Sequence, residues 1–162
     1  MALTQVQGGM IQQLASSNMP AGSVIQVVNT LNGTEQYTTS ASDVETSVTA
    51  TITPKYATSK ILVIATAGGL YTNNSDTQAN YYVYRGGTLI GVLMDSMQCY
   101  AQSMGTFRLP TATFTKLDSP ATASAITYKF WMSRRTGTGT IGINSYGSTA
   151  PASGFTLMEI AQ

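Results

Sequence analysis

Histidine is absent from this chain, and cysteine occurs once, at Cys99. The first absence removes the commonest general base and the commonest metal ligand. The second rules out an intrachain disulfide, so zinc, haem and iron–sulfur sites are excluded and no cofactor is expected. Cys99 stands beside Tyr100 in a methionine-rich stretch and reads as a small buried hydrophobe rather than a nucleophile. Charge is scarce as well: 9% of residues are charged, with eight Lys and Arg against seven Asp and Glu. That balance offers no electrostatic basis for a nucleic-acid or anionic-membrane partner. No segment approaches the roughly 20 apolar residues of a transmembrane helix. Met1 to Pro20 lacks Lys, Arg and a continuous apolar core, so the expectation is a mature chain starting at Met1 or Ala2 that folds in a reducing cytoplasm.

Hydroxyl groups take the place of charge. Thr and Ser supply about a quarter of the residues, and β-branched Thr suits a half-buried pleated surface. The apolar fraction of 43% excludes a disordered chain, and 162 residues suffice for one domain with a tail. The tail is residues 1–20. Met10, Ile11 and Leu14 could form two helical turns after Gly8-Gly9, ending near Asn18 and Pro20. Such a stripe is too small to hold a helix alone, so two readings stand: an arm that orders against a neighbouring subunit or host structure, or a frayed terminus.

Residues 21–162 read as strands and turns. The central run is Lys60-Ile61-Leu62-Val63-Ile64-Ala65-Thr66, whose five consecutive apolar residues predict a strand buried on both faces. It therefore requires its own core on one side and a second sheet or subunit on the other. Val44 to Thr53 alternates, with Val44, Thr46, Val48, Ala50 and Ile52 on one face. Ala125 to Ser133 alternates most clearly, with Ile126, Tyr128, Phe130 and Met132 opposite Thr127, Lys129 and Trp131. Gly86-Gly87, between Ala79–Arg85 and Thr88–Asp95, predicts a hairpin. Asn32-Gly33 predicts a turn after which Thr34–Thr39 pairs back on residues 22–29. Pro110 is expected to break a strand between Thr106 and Leu117, Ser96 to Gly105 reads as a loop or ragged strand, and Gly154 to Ile160 is the last strand. Turn signals every 8–14 residues without a core helix indicate an all-β protein, an antiparallel β-sandwich or barrel.

No motif points to chemistry. Gly137-Thr-Gly-Thr-Ile-Gly142 matches a dinucleotide fingerprint but runs into Ile141, Ile143 and Asn144 without a helical pattern, so it reads as a hairpin. Asp43 and Glu45 are closely spaced carboxylates, but the sequence shows no sugar-binding arrangement around them, and they read as surface charges. Asn73-Asn74-Ser75-Asp76 lacks the spacing of a calcium loop. The sequons at Asn32 and Asn73 predict nothing without a secretory signal. Arg134-Arg135 reads as a solvated turn or a contact to an acidic neighbour. Tyr81, Tyr82, Tyr84 and Trp131 form either a receptor-binding patch or, the preferred reading, core and subunit interface. Ile61, Val63, Tyr82, Tyr128, Phe130 and Trp131 are accordingly the candidate core or interface residues, and no enzymatic activity is expected.

Several phrases resemble a known family: Ala50-Thr-Ile-Thr-Pro54, Thr58-Ser-Lys-Ile-Leu-Val63, Tyr84-Arg-Gly-Gly-Thr88, Leu117-Asp-Ser-Pro-Ala121, Ile126-Thr-Tyr-Lys129 and Thr156-Leu-Met-Glu-Ile160. Together they resemble small virion proteins of tailed bacteriophages, especially aquatic and cyanobacterial phages, over about residues 22–162. The resemblance implies a homotrimeric β-sandwich of jelly-roll type, displayed on the virion as a head decoration (cement) protein or as part of a tail fibre. Decoration is the preferred role, because the chain carries one module and no fibrous or heptad segment. In that role Leu3, Val6, Met10, Ile11 and Leu14 would anchor the arm to the major capsid protein, in virions assembled in the host cytoplasm. In the alternative role, loops near Asn73–Gln78 and Arg134–Gly139 would contact a host surface glycan.

Overall fold

A computed structural model describes residues 19–98, 106–145 and 152–162. The proposed anchoring residues Leu3, Val6, Met10, Ile11 and Leu14, the helical reading of the arm, and Cys99 lie outside the described residues. The described chain forms ten strands: β1 (Val24–Asn32), β2 (Gln36–Thr38), β3 (Val44–Ile52), β4 (Lys60–Asn73), β5 (Gln78–Arg85), β6 (Thr88–Met97), β7 (Thr106–Asp118), β8 (Ile126–Thr136), β9 (Ile141–Ile143) and β10 (Ser153–Ile160). They make two antiparallel sheets, and no helix occurs among the described residues.

The apolar run lies in β4, the longest strand, which centres sheet A. Along one edge β4 pairs with β7 from Ile61 to Asn73. Along the other it pairs first with β10, from Lys60 to Thr66, and then with β9 at Tyr71 and Thr72. β1 flanks β10, and β2 flanks β9. Sheet B has the order β3-β8-β5-β6.

Alternation explains how the sheets meet. On β4, Ile61, Val63, Ala65 and Ala67 are fully buried, while Leu62, Ile64 and Thr66 are half-buried. The chain alone therefore shelters this strand on one face, not on both as expected from five consecutive apolar residues. β10 contributes Phe155 and Leu157 to the core, and sheet B answers with Val48, Ala50, Ile52, Tyr81, Val83, Tyr128, Phe130 and Met132. Phe130 and Phe155 meet across the sheets with ring centroids 4.7 Å apart.

Two polar clusters tie the layers. Asp118 of β7 accepts hydrogen bonds from Arg85 Nη1 at 2.6 Å and the Tyr128 hydroxyl at 2.8 Å, joining sheet A to two strands of sheet B. Burial, with the Asp118 carboxylate beside it, pushes the Tyr128 phenol far above its ordinary value. Glu159 of β10, fully buried, accepts from Gln26 Nε2 at 2.5 Å, from Lys55 N–H at 2.7 Å and from Tyr56 N–H at 3.3 Å. These bonds pin the connection that leads into β4.

Side chains also close the seam between the sheets at β1 and β3. Gln26, Thr30 and Asn32 donate to the carbonyls of Thr53, Thr49 and Ser47 at 2.7, 2.9 and 3.2 Å, so the edge carbonyls of β3 are capped. At the opposite seam the Phe114 ring of β7 lies over Gly91 of β6, where a Cβ would overlap it. Lys116 Nζ donates to the Ile90 carbonyl at 2.7 Å.

Two further expectations are corrected. Thr34–Thr39 does not pair with residues 22–29. Asn32 turns the chain by accepting from Thr34 N–H at 2.8 Å, but β10 already pairs with β1, and Gln36–Thr38 pairs with β9 instead. Asn144 secures that choice by donating to the Asn32 and Thr34 carbonyls at 3.0 and 2.9 Å. Pro110 does not break its strand. It sits within β7, a strand that pairs only with β4, where a missing N–H is tolerated. The Gly86-Gly87 hairpin forms as expected, with Gly86 at φ +54°, and Gly137 to Thr140 leads from β8 into β9, with Gly142 inside β9.

Candidate functional site

The carboxylates are already engaged. Each of the seven carboxylates accepts at least one hydrogen bond: Glu35 from Tyr37, Asp43 from Tyr84, Glu45 from Lys129, Asp76 from Thr77, Asp95 from Arg135, Asp118 from Arg85, and Glu159 from Lys55 N–H. Among the described residues no three acidic or thiol groups cluster as a metal would require. Asp43 and Glu45, close in sequence, are held separately by Tyr84 and Lys129. Arg135 pairs with Asp95 at 2.7 Å on the surface, whereas Arg134 donates to the Gly139 carbonyl at 3.2 Å. What remains for interaction is the outer face of each sheet.

On sheet A the register aligns one large apolar side chain from each of four strands. Val27 of β1 lies opposite Met158 of β10, Met158 opposite Leu62 of β4, and Leu62 opposite Leu117 of β7. Val27 is 55% exposed and Leu117 49%, with Met158 and Leu62 half-buried between them. The next row is Asn29, Thr156, Ile64 and Thr115, in which Asn29 Nδ2 donates to the Thr156 hydroxyl at 2.8 Å. Leu31, 70% exposed, leans over Gly154, where a Cβ would overlap the Thr30 carbonyl. The result is an aliphatic stripe bordered on one side by neutral hydroxyl and amide groups and on the other by Lys60 of β4, which lies opposite Ile160.

On sheet B the row is Glu45, Trp131, Tyr82 and Val92, followed by Thr49, Lys129, Tyr84 and Leu89. Tyr84 reaches across β8 to donate to Asp43 Oδ2 at 2.9 Å, which lays its ring beside the Trp131 indole at 4.9 Å and a 32° tilt. Partial burial and the Asp43 carboxylate raise the Tyr84 phenol above its ordinary value. Tyr82 meets Tyr84 edge-on at 6.4 Å, and its hydroxyl accepts from Asn80 Nδ2 at 2.8 Å. A depression of about 460 Å³ adjoins this row, lined by Arg85, Gly86, Ala125, Ile126, Thr127 and Lys129.

The sequence-selected residues thus separate. Ile61, Val63, Tyr128 and Phe130 are fully buried in the core, whereas Tyr82 and Trp131 stand on the outer face of sheet B. Tyr81 points inward, and its hydroxyl donates to the Gly142 carbonyl at 2.7 Å. Sequence reasoning missed Val27, Met158 and Leu117 as parts of one surface. The alternation of Thr111, Thr113, Thr115 and Leu117 on β7 was the available signal. The loops Asn73–Gln78 and Arg134–Gly139 do come together: Gly139 N–H donates to Thr77 Oγ1 at 2.8 Å and Thr140 N–H to Asn73 Oδ1 at 2.5 Å, bonds that engage these two acceptors internally. Neither a protein-family model nor a curated protein sequence matches this chain.

Proposed function

We propose that this protein is a structural component of a tailed-bacteriophage virion: a homotrimer that binds the outer head surface through the major capsid protein and stabilises it. The observation that carries this reading is the aliphatic row Val27, Met158, Leu62 and Leu117. Four adjoining strands present it on a face that a soluble monomer would gain by covering. Each buried side chain of this size contributes about 1.5–3 kcal/mol, enough in multiple copies to hold subunits together. The number three comes from the family resemblance.

The finer fold in this reading is a jelly roll. Its support is the strand order: β1-β10-β4-β7 in one sheet and β3-β8-β5-β6 in the other place strands from both ends of the chain side by side, as two interleaved Greek keys do. β2 and β9 are then a short addition beside β4. The arm residues Leu3, Val6, Met10, Ile11 and Leu14 supply the capsid anchor, and a neutral, hydroxyl-rich exterior suits a dense shell of copies that must not repel one another.

Deleting residues 2–18 tests the mechanism. The shortened protein is expected to remain a trimer by light scattering and to lose attachment to heads that lack it. A monomeric full-length protein, or retention of the shortened one on heads, overturns the reading.

A further inference from the structure

The sheet B face differs from an ordinary subunit contact in three respects. Its centre is aromatic, with Trp131 and Tyr84 side by side and Tyr82 edge-on to Tyr84. Its two cations are paired, Lys129 with Glu45 and Arg85 with Asp118, while the Asp43 carboxylate accepts from the neutral Tyr84 hydroxyl. The Trp131 indole N–H is buried without an acceptor, a donor whose unmade bond is a standing cost.

We propose that this face binds a neutral saccharide. The aliphatic C–H face of a pyranose ring matches the Tyr84 and Trp131 surface, and its hydroxyls need the mixture of donors and acceptors at the rim: the Tyr82 hydroxyl, the Thr49 and Thr127 side chains and the Glu45 carboxylate. The depression beside Lys129 has a volume of about 460 Å³, within the range of small-ligand sites, and takes the adjoining sugar of a chain. Because both cations of the site are already paired, an acidic polysaccharide gains no unmatched charge here, which favours a neutral one. The assignment does not rest on the trimer: it concerns the opposite sheet.

Trp131 is the one tryptophan of the chain, so intrinsic fluorescence reads this face alone. The probes are dextran, galactomannan and hydroxyethyl cellulose, with alginate as the acidic control, in fluorescence titrations and in native gels cast with each polymer. At least one neutral polymer is expected to shift the Trp131 emission and retard the protein. Trp131→Ala and, separately, Tyr84→Ala should weaken the retardation about tenfold or more without changing molar mass. The proposal fails if no neutral polymer shifts the wild-type emission, if alginate alone does, or if retardation survives both substitutions. It also fails if either substitution changes the molar mass, since the face would then pack against protein. Should both variants unfold, the wild-type titration still decides.

Discussion

Both sheets turn one face to the shared core and one outward, but their outward faces are built differently. On sheet A, Val27, Leu31 and Leu117 are 49–70% exposed and are flanked by Thr and Asn, so the face offers area without direction. On sheet B, Trp131 and Tyr84 are half-buried against each other, and Asp43, Glu45 and Lys129 fix their surroundings by hydrogen bonds and an ion pair. An aliphatic face gains from whatever excludes water and suits a permanent contact with another sheet. A face of oriented rings and satisfied polar groups discriminates among partners and suits a reversible one.

The largest effect should come from charging the aliphatic face. Leu62→Asp combined with Leu117→Asp places carboxylates in the middle of the stripe and should lower the molar mass by light scattering about threefold, because a trimer cannot bury them. Trp131→Ala should leave the mass unchanged. A mass indifferent to the first change but sensitive to the second would exchange the roles of the two faces.

Next in size is the clamp that holds the faces back to back. Asp118→Ala removes the acceptor shared by Arg85 and Tyr128, and the Arg85 side chain is only 24% exposed. A stability loss of about 2–3 kcal/mol in urea unfolding is expected, with the folded protein keeping both its mass and its Trp131 emission. Selective loss of one of those readouts would show that the clamp serves one face rather than the sandwich.

The inner side of sheet B also sets an alkaline limit. Burial raises the Tyr81 and Tyr128 phenols above their ordinary value of 10.0, so the fold favours their neutral forms. The resulting stability is fully present below pH 10 and is lost as pH rises from there toward the folded values. Ultraviolet tyrosinate absorbance should therefore show a late step that coincides with loss of circular dichroism. If that step completes while the fold remains intact, these two phenols are not sealed in the core.

The comparison also marks what the sequence could tell. Alternation placed the core face of β3 at Val48, Ala50 and Ile52 and that of β8 at Tyr128, Phe130 and Met132, because burial with period two is a local property. The run at β4 was legible as a strand, but five apolar residues carry no period, so its outward side could not be told from its inward one. Pairing order is non-local. Nothing within Gln36–Thr38 announces Ile141–Ile143 as its partner, and the sheet A stripe needs four strands drawn from positions 27, 62, 117 and 158. For the aromatic face the residues were named and their direction was not. The difference lay in neighbours: Ala79, Tyr81 and Val83 share one parity and fill the core, while Asn80, Tyr82 and Tyr84 share the other.

The smallest effect separates what organises the sheet B face from what stabilises it. Lys129 and Glu45 form an ion pair in which the Glu45 side chain is 45% exposed, a setting where water screens most of the attraction. Lys129→Gln should change unfolding free energy by less than about 1 kcal/mol, comparable to the hydroxyl contacts that decorate sheet A. Its consequence should appear in charge instead. Once Glu45 is unpaired, the face is acidic beside Trp131, and weakly anionic polymers should be repelled more strongly at low salt than at high salt. A large stability loss from Lys129→Gln would mean that the pair is structural, and that the aromatic face depends on charge in a way the aliphatic face does not.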